Sequence, residues 1–137
     1  MSFIQNQIGL KGSGGSIYMN NAAAPITVSV TASYQELTSL STSFSLATTS
    51  PDFAMTTDGR LKYTGIITKN FVVNATINIS TASTGSSAMQ IYKNGSATGI
   101  ECYESVIPSL SIQKAPVSLA TNDYISIFLK HHQLQQD

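Results

Sequence analysis

Side-chain chemistry needs acids, bases, nucleophiles or metal ligands that converge, and this chain offers few of them. The histidines are His131 and His132. Adjacent residues on a strand point to opposite faces, so one chain does not readily bring both to one metal ion. Three copies of one histidine around a three-fold axis are the alternative, and a solvent-exposed chain end is the plain reading. Cys102 is the single cysteine, which excludes an internal disulfide. No histidine signature accompanies it, so it reads as a small, partly buried thiol rather than a nucleophile. Asp52, Asp58, Glu101, Glu104 and Asp123 could offer oxygen ligands to calcium, but they are scattered and form no dense EF-hand-like loop. Asp58 and Asp123 stand where a turn wants such a residue. Glu101 and Glu104 have opposite strand parity, which only a bulge would reconcile with joint catalytic work. The serines show no nucleophile-elbow pattern, and Gly12-Ser13-Gly14-Gly15 lacks the lysine and the strand–helix context of a phosphate loop. The expectation is a binding or structural module with no catalytic residue, no cofactor and no metal, rather than an enzyme.

Composition narrows the classes further. The chain has 137 residues, 42% of them hydrophobic, with seven Lys plus Arg against seven Asp plus Glu. That length predicts one domain able to bury a core. Charged residues make up only 10% and cancel to zero net charge, which argues against charge-driven disorder and against nucleic-acid binding through a basic face. The polar surface must then consist largely of hydroxyls and amides, an unusual design for a free monomer. No apolar run approaches the ~20 residues of a membrane-crossing helix. Met1-Ser2-Phe3-Ile4-Gln5-Asn6 has neither the basic start nor the apolar stretch of a secretory signal, so synthesis in a cytoplasm is expected. The Asn-x-Ser/Thr triplets at Asn74, Asn78 and Asn94 are then chance glycosylation matches.

The elements that must position any site are short strands. Residues 1–15 read as a flexible N-terminal arm and 16–137 as one domain. Residues 16–19, 26–30 and 43–46 are β-type, with Ile26, Val28 and Val30 on one face. Residues 53–55 and 61–63 flank Asp58-Gly59, a hairpin signal. Residues 71–80 alternate throughout: Phe71, Val73, Ala75, Ile77 and Ile79 point one way and polar residues mostly the other. A loop of small residues is expected over 81–88. Residues 89–93 resume the alternation and end at Asn94-Gly95, a type I′ turn signal. A further strand is placed over 99–106, a loop over 103–110, and an extended segment over 112–119 whose Pro116 favours a sheet edge. In the last strand, 124–130, Ile125, Ile127 and Leu129 form one apolar row while Tyr124 and Phe128 lie on the other. The second row must be covered by another strand, an arm or a neighbouring subunit; Tyr and Phe favour an oligomer interface formed by Tyr124, Ile125, Ile127, Phe128 and Leu129. About nine or ten strands at ~8–12-residue spacing, with no internal repeat, indicate an all-β sandwich or barrel.

Leu119-Ala120-Thr121-Asn122-Asp123-Tyr124-Ile125 resembles the segment before the penultimate strand of the tumour-necrosis-factor and complement-globular-head superfamily, with Asn122 in place of the usual glycine. Gly59-Arg60-Leu61-Lys62-Tyr63-Thr64-Gly65, the strand over 71–80 and Met89-Gln90-Ile91-Tyr92-Lys93-Asn94-Gly95 resemble the layout of phage and large-virus members. Ser16-Ile17-Tyr18-Met19-Asn20-Asn21 is similar to their usual start. The resemblance covers residues 16 to about 130. It implies an antiparallel jelly-roll sandwich of about ten strands that assembles as a compact homotrimer. The family's last strand has no counterpart: either the sequence is cut short, or the strand is supplied from elsewhere, or the sheet has an open edge, which is expected to be covered by another copy or another protein.

The function this implies is that of a non-enzymatic virion structural protein, a trimeric capsid decoration or a minor capsid or head-fibre component. It would be made in a host cytoplasm and partnered by itself and by other virion proteins through residues 1–15. The alternative is a receptor-binding, adhesin-like tip of a viral fibre or tail that reads a glycan or protein through loops 81–88 and 103–110. Tyr103 is its best stacking residue, although the chain has no tryptophan.

Overall fold

A computed structural model of the chain describes residues 12–19, 30–37, 44–78, 85–104 and 109–133. They form ten strands: β1 (Ile17–Met19), β2 (Gln35–Glu36), β3 (Phe44–Leu46), β4 (Phe53–Ala54), β5 (Leu61–Tyr63), β6 (Lys69–Asn78), β7 (Gly85–Lys93), β8 (Ser96–Glu104), β9 (Ser109–Leu119) and β10 (Tyr124–Gln133). All pairings are antiparallel, and there is no α-helix among the described residues. The largest sheet has six strands in the order β4-β5-β10-β7-β8, with β2 also on β10; β6-β9 and β1-β3 are two-stranded. The pairs β7–β8, β6–β9 and β5–β10 are nested in sequence and alternate between sheets.

The local reasons are visible along the chain. β6 shows the expected period of two, with Phe71, Val73, Ala75 and Ile77 packed against the core and Val72, Thr76 and Asn78 exposed. β9 matches it: Leu110, Ile112, Ala115, Val117 and Leu119 are buried, and its pattern shifts phase at a bulge between Val73 and Ala75 of the partner. There Lys114 takes φ 57° and donates its backbone N–H to Asn74 Oδ1 at 2.9 Å. Pro116 lies exposed opposite Val72, and among the described residues β9 pairs with β6 alone. The apolar rows of β6 and β9 face Met89, Ile91, Ile125, Leu129, Leu61 and Tyr63 of the large sheet in one continuous core. Tyr63, fully buried, donates its hydroxyl to the Ile67 carbonyl at 2.6 Å. Its ring lies 5.4 Å from Phe53 and 5.1 Å from Phe71, within the range of favourable tilted aromatic pairs.

Turn chemistry fixes the register. Asn94 and Gly95 both have positive φ, 52° and 78°, and join Lys93 to its partner Ser96, as a type I′ hairpin requires. Asp58-Gly59 joins β4 to β5 through a wider loop, closed by Arg60 N–H to the Thr57 carbonyl at 3.0 Å. Asp58 Oδ1 accepts the Phe44 N–H at 2.8 Å and so ties that loop to β3.

Several sequence expectations change. Residues 85–88 are not loop: Gly85 starts β7, and Ser86, Ser87 and Ala88 are buried between β10 and β8. Side chains this small suit a strand covered on both faces, and they carry no apolar alternation. Tyr103 belongs to β8 and Leu110 to β9, so the expected 103–110 loop can comprise no more than 105–108, outside the described residues. β8 begins at Ser96, directly after the turn, and not at Gly99. Residues 26–29 and 79–84 also lie outside the described residues. Gly12 to Gly15 are docked onto the domain: Ser13 donates to Asp52 at 2.6 Å and accepts from Lys69 at 2.9 Å, and Gly14 N–H reaches the Pro51 carbonyl at 3.1 Å. Residues 1–11 lie outside the description. β10 is no open edge, since β7 flanks one side and β5 and β2 the other. In the two-stranded β6-β9 sheet, β6 and β9 each have one edge with no partner among the described residues.

Candidate interaction face

Directly paired residues in an antiparallel sheet share a face. The register pairs Lys62 with Tyr124, Glu36 with Phe128, Ser126 with Tyr92, Phe128 with Gln90, Lys130 with Ala88 and Ala88 with Tyr103. These residues cover the face of the large sheet that points away from the core. Small residues on it, Ala88 and Ser126, are only 1% and 2% exposed. Tyr92 stacks on Phe128 with centroids 3.6 Å apart and planes inclined by 6°. Tyr34 meets Tyr92 edge-on at 6.1 Å, and Lys130 Nζ lies 4.5 Å from the Tyr34 ring centroid. Tyr103 stands 61% exposed at the margin.

Several charges on this face have partners within it. Arg60 grips Glu36 with two bonds, Nε to Oε1 at 2.7 Å and Nη2 to Oε2 at 3.0 Å. That carboxylate holds the guanidinium still more firmly protonated, against the opposing effect of burial. Arg60 also lies 4.7 Å over the Tyr124 ring, a cation–π contact. Tyr34 donates its hydroxyl to Glu101 at 2.7 Å. Burial, and then the Glu101 carboxylate, push the Tyr34 hydroxyl well above the ordinary phenol range, so it remains a donor at any physiological pH.

Each residue singled out in the sequence can now be placed. Ile125 and Leu129 are core residues, and Ile127 packs against the core. Tyr124 and Phe128 are half-buried on the outer face with Tyr103, so these three are brought together on one surface. The second apolar row of β10 is covered in part by the chain itself, through Tyr92 and Arg60. Tyr34, Tyr92, Arg60 and Glu36 complete the face. Period-two alternation on 89–93 could have placed Tyr92 there; β2, only two residues long, gave no signal for Tyr34 and Glu36.

The remaining candidates hold structural positions. His131 shares a hydrogen bond of 2.8 Å with Ser87 through Nδ1, while His132 is exposed. Cys102 is half-buried opposite Met89. Asp123 accepts the Ala120 N–H and the Asn94 amide, both at 2.8 Å. Among the described residues no group of three or more His, Cys, Asp or Glu side chains could hold a metal ion. No protein-family model matches this chain, and neither the curated proteins nor the solved structures compared with it give a match.

Proposed function

We propose that this chain is a non-enzymatic virion structural protein whose outer sheet face packs against further copies of itself in a homotrimer. The carrying observation is that face: Tyr34, Tyr92, Tyr103 and Phe128 form an aromatic surface whose neighbouring charges, Arg60, Glu36 and Glu101, already have partners within the chain. Pre-paired charges reduce the cost of desolvation when such a surface is covered. The second copy is the favoured occupant because the face carries both signs of charge, Arg60, Lys62 and Lys130 beside Glu36 and Glu101, so two such faces can set opposite charges against each other. The nested pairs β7–β8, β6–β9 and β5–β10 support a jelly-roll reading of the sandwich, in line with the resemblance of 16 to about 130 to viral members of the tumour-necrosis-factor-like superfamily. The edge of β6 opposite β9, unpaired among the described residues, is where that reading seats one further strand of the family.

Sedimentation equilibrium tests the assembly. The expected species is a trimer burying well over ~1,000 Å² per contact, shifted towards monomer by Tyr103→Arg, which places an unpaired charge at an exposed position. A monomer at about 100 μM overturns it. A mass-spectrometric inventory of purified particles tests the virion setting, and finding the protein in no particle overturns that part. The second reading, a receptor-binding tip, is favoured by one observation only, the exposed Tyr103 ring beside this face.

A further inference from the structure

Thr56, Thr57, Arg60, Lys62, Asn122 and Tyr124 line a cleft of about 190 Å³ where β5 meets β10. The strand pattern builds it. Arg60 and Lys62 are two residues apart and share a side of the chain; Tyr124 is the register partner of Lys62. Thr56 and Thr57 come from the β4–β5 connection. Asn122 comes from the turn before β10, held at φ 73° by its N–H bond to the Tyr63 carbonyl at 2.8 Å.

The cleft has unspent hydrogen-bonding capacity. Arg60 commits Nε and Nη2 to Glu36, which leaves Nη1. Among the described residues, Nη1, the Lys62 ammonium, the Thr56 and Thr57 hydroxyls and the Asn122 side-chain amide make no hydrogen bond. Glu36 neutralises one of the two cations, so the cleft carries a single net positive charge. That charge suits a monoanion and is mismatched to a phosphate dianion. The neutral donors and acceptors around it suit hydroxyls, and Tyr124 adds an apolar edge, since Arg60 occupies a ring face. The volume is below the ~300–1,000 Å³ of sites for drug-sized ligands, which limits the occupant to one ring.

We propose that this cleft binds the carboxylate-bearing ring of an acidic saccharide. Arg60 Nη1 and Lys62 Nζ would hold the carboxylate, and Thr56, Thr57 and Asn122 the ring hydroxyls. The assignment rests on neither the trimer nor the virion setting. Phe128, at the centre of the proposed interface, lies about 13 Å along β10 from Tyr124, so the cleft is at the margin of that interface.

The test is titration of the ¹⁵N-labelled full chain with the methyl glycoside of glucuronic acid, using the methyl glycoside of glucose as a neutral match and acetate as a free carboxylate. Expected are saturable shifts at Thr56, Thr57, Lys62 and Asn122 with an affinity of about 1 mM. The neutral sugar and acetate should bind at least about tenfold more weakly. Lys62→Gln should weaken the acidic sugar about tenfold, and Asn122→Gly, which keeps the positive φ, about threefold. No saturation at about 50 mM, shifts centred elsewhere, or unchanged binding by folded Lys62→Gln overturns the site. Equal affinity for acetate overturns the saccharide and leaves only an adventitious anion contact.

Discussion

Tyr92 of β7 and Phe128 of β10 stack nearly parallel, with ring centroids 3.6 Å apart. Two aligned ring faces are the less favoured quadrupole arrangement, so the pair is held by area removed from water and not by ring–ring attraction. Area is what the substitutions should report. Phe128→Leu keeps most of it and is expected to cost under ~1.5 kcal/mol. Phe128→Ala exposes the Tyr92 face and should cost about 2–3 kcal/mol. Urea denaturation of both variants checks this; equal losses would mean that the aromatic contact itself matters.

Gly95 and Gly65 separate two uses of glycine. Gly95 has φ 78°, and a Cβ there would meet only Tyr124 Oη at 3.6 Å. Gly95→Ala is thus a backbone effect of about 1 kcal/mol. At Gly65 a Cβ would overlap the phenol end of Tyr63, a side chain that is itself fully buried and hydrogen-bonded. Gly65→Ala should then displace the Tyr63–Phe53–Phe71 cluster and cost about 3 kcal/mol. Thermal melts of the two variants should rank them in that order, and the reverse order would refute the packing argument.

What the sequence made legible follows from the range of the interactions. The alternation on β6 and the Asn94-Gly95 turn are local signals, and the structure follows both. The start of β7 carries no such signal, because Ser86, Ser87 and Ala88 are all buried and so lack a wet-and-dry pattern. β2 exists only through its pairing with β10, which no window of adjacent residues contains. The outer face has the same limit. Tyr34 meets Glu101 across 67 positions, and Arg60 meets Glu36 across 24. Tyr124, Phe128 and Tyr103 could be singled out by type, but their common surface depends on the register of β10 with β7 and of β7 with β8.

Ser126 is opposite Tyr92 on that surface, 2% exposed, and its hydroxyl has no hydrogen-bond partner among the described residues. Burying an unpaired hydroxyl costs more than burying a methyl group. Ser126→Ala is therefore expected to stabilise the fold by about 1 kcal/mol, against the usual direction for a buried substitution. Ser126→Val should destabilise, because its added methyls must fit under Tyr92 and Phe128. Chemical denaturation distinguishes these outcomes, and a destabilised alanine variant would show that the hydroxyl is satisfied in solution.

Asp123 links the turn before β10 to the β7–β8 hairpin. The Asn94 amide, and then the Ala120 N–H, hold its carboxyl below the usual carboxylate range, helped by Lys93 Nζ at 3.5 Å. A group whose folded-state pKa is depressed contributes stability that is fully present above its unfolded pKa of about 4 and is lost as pH falls through the folded value. The folded protein should accordingly lose part of its stability below about pH 4 through this residue. Asp123→Asn cannot titrate. It is expected to be less stable than the parent at neutral pH, because an Asn amide cannot reproduce both accepted bonds and the attraction to Lys93. Its further loss between about pH 5 and pH 3 should be smaller than the parent's. Urea midpoints for both proteins across that range decide the matter: parallel pH profiles would show that Asp123 does not titrate with folding, whereas converging profiles place the acid sensitivity at this turn.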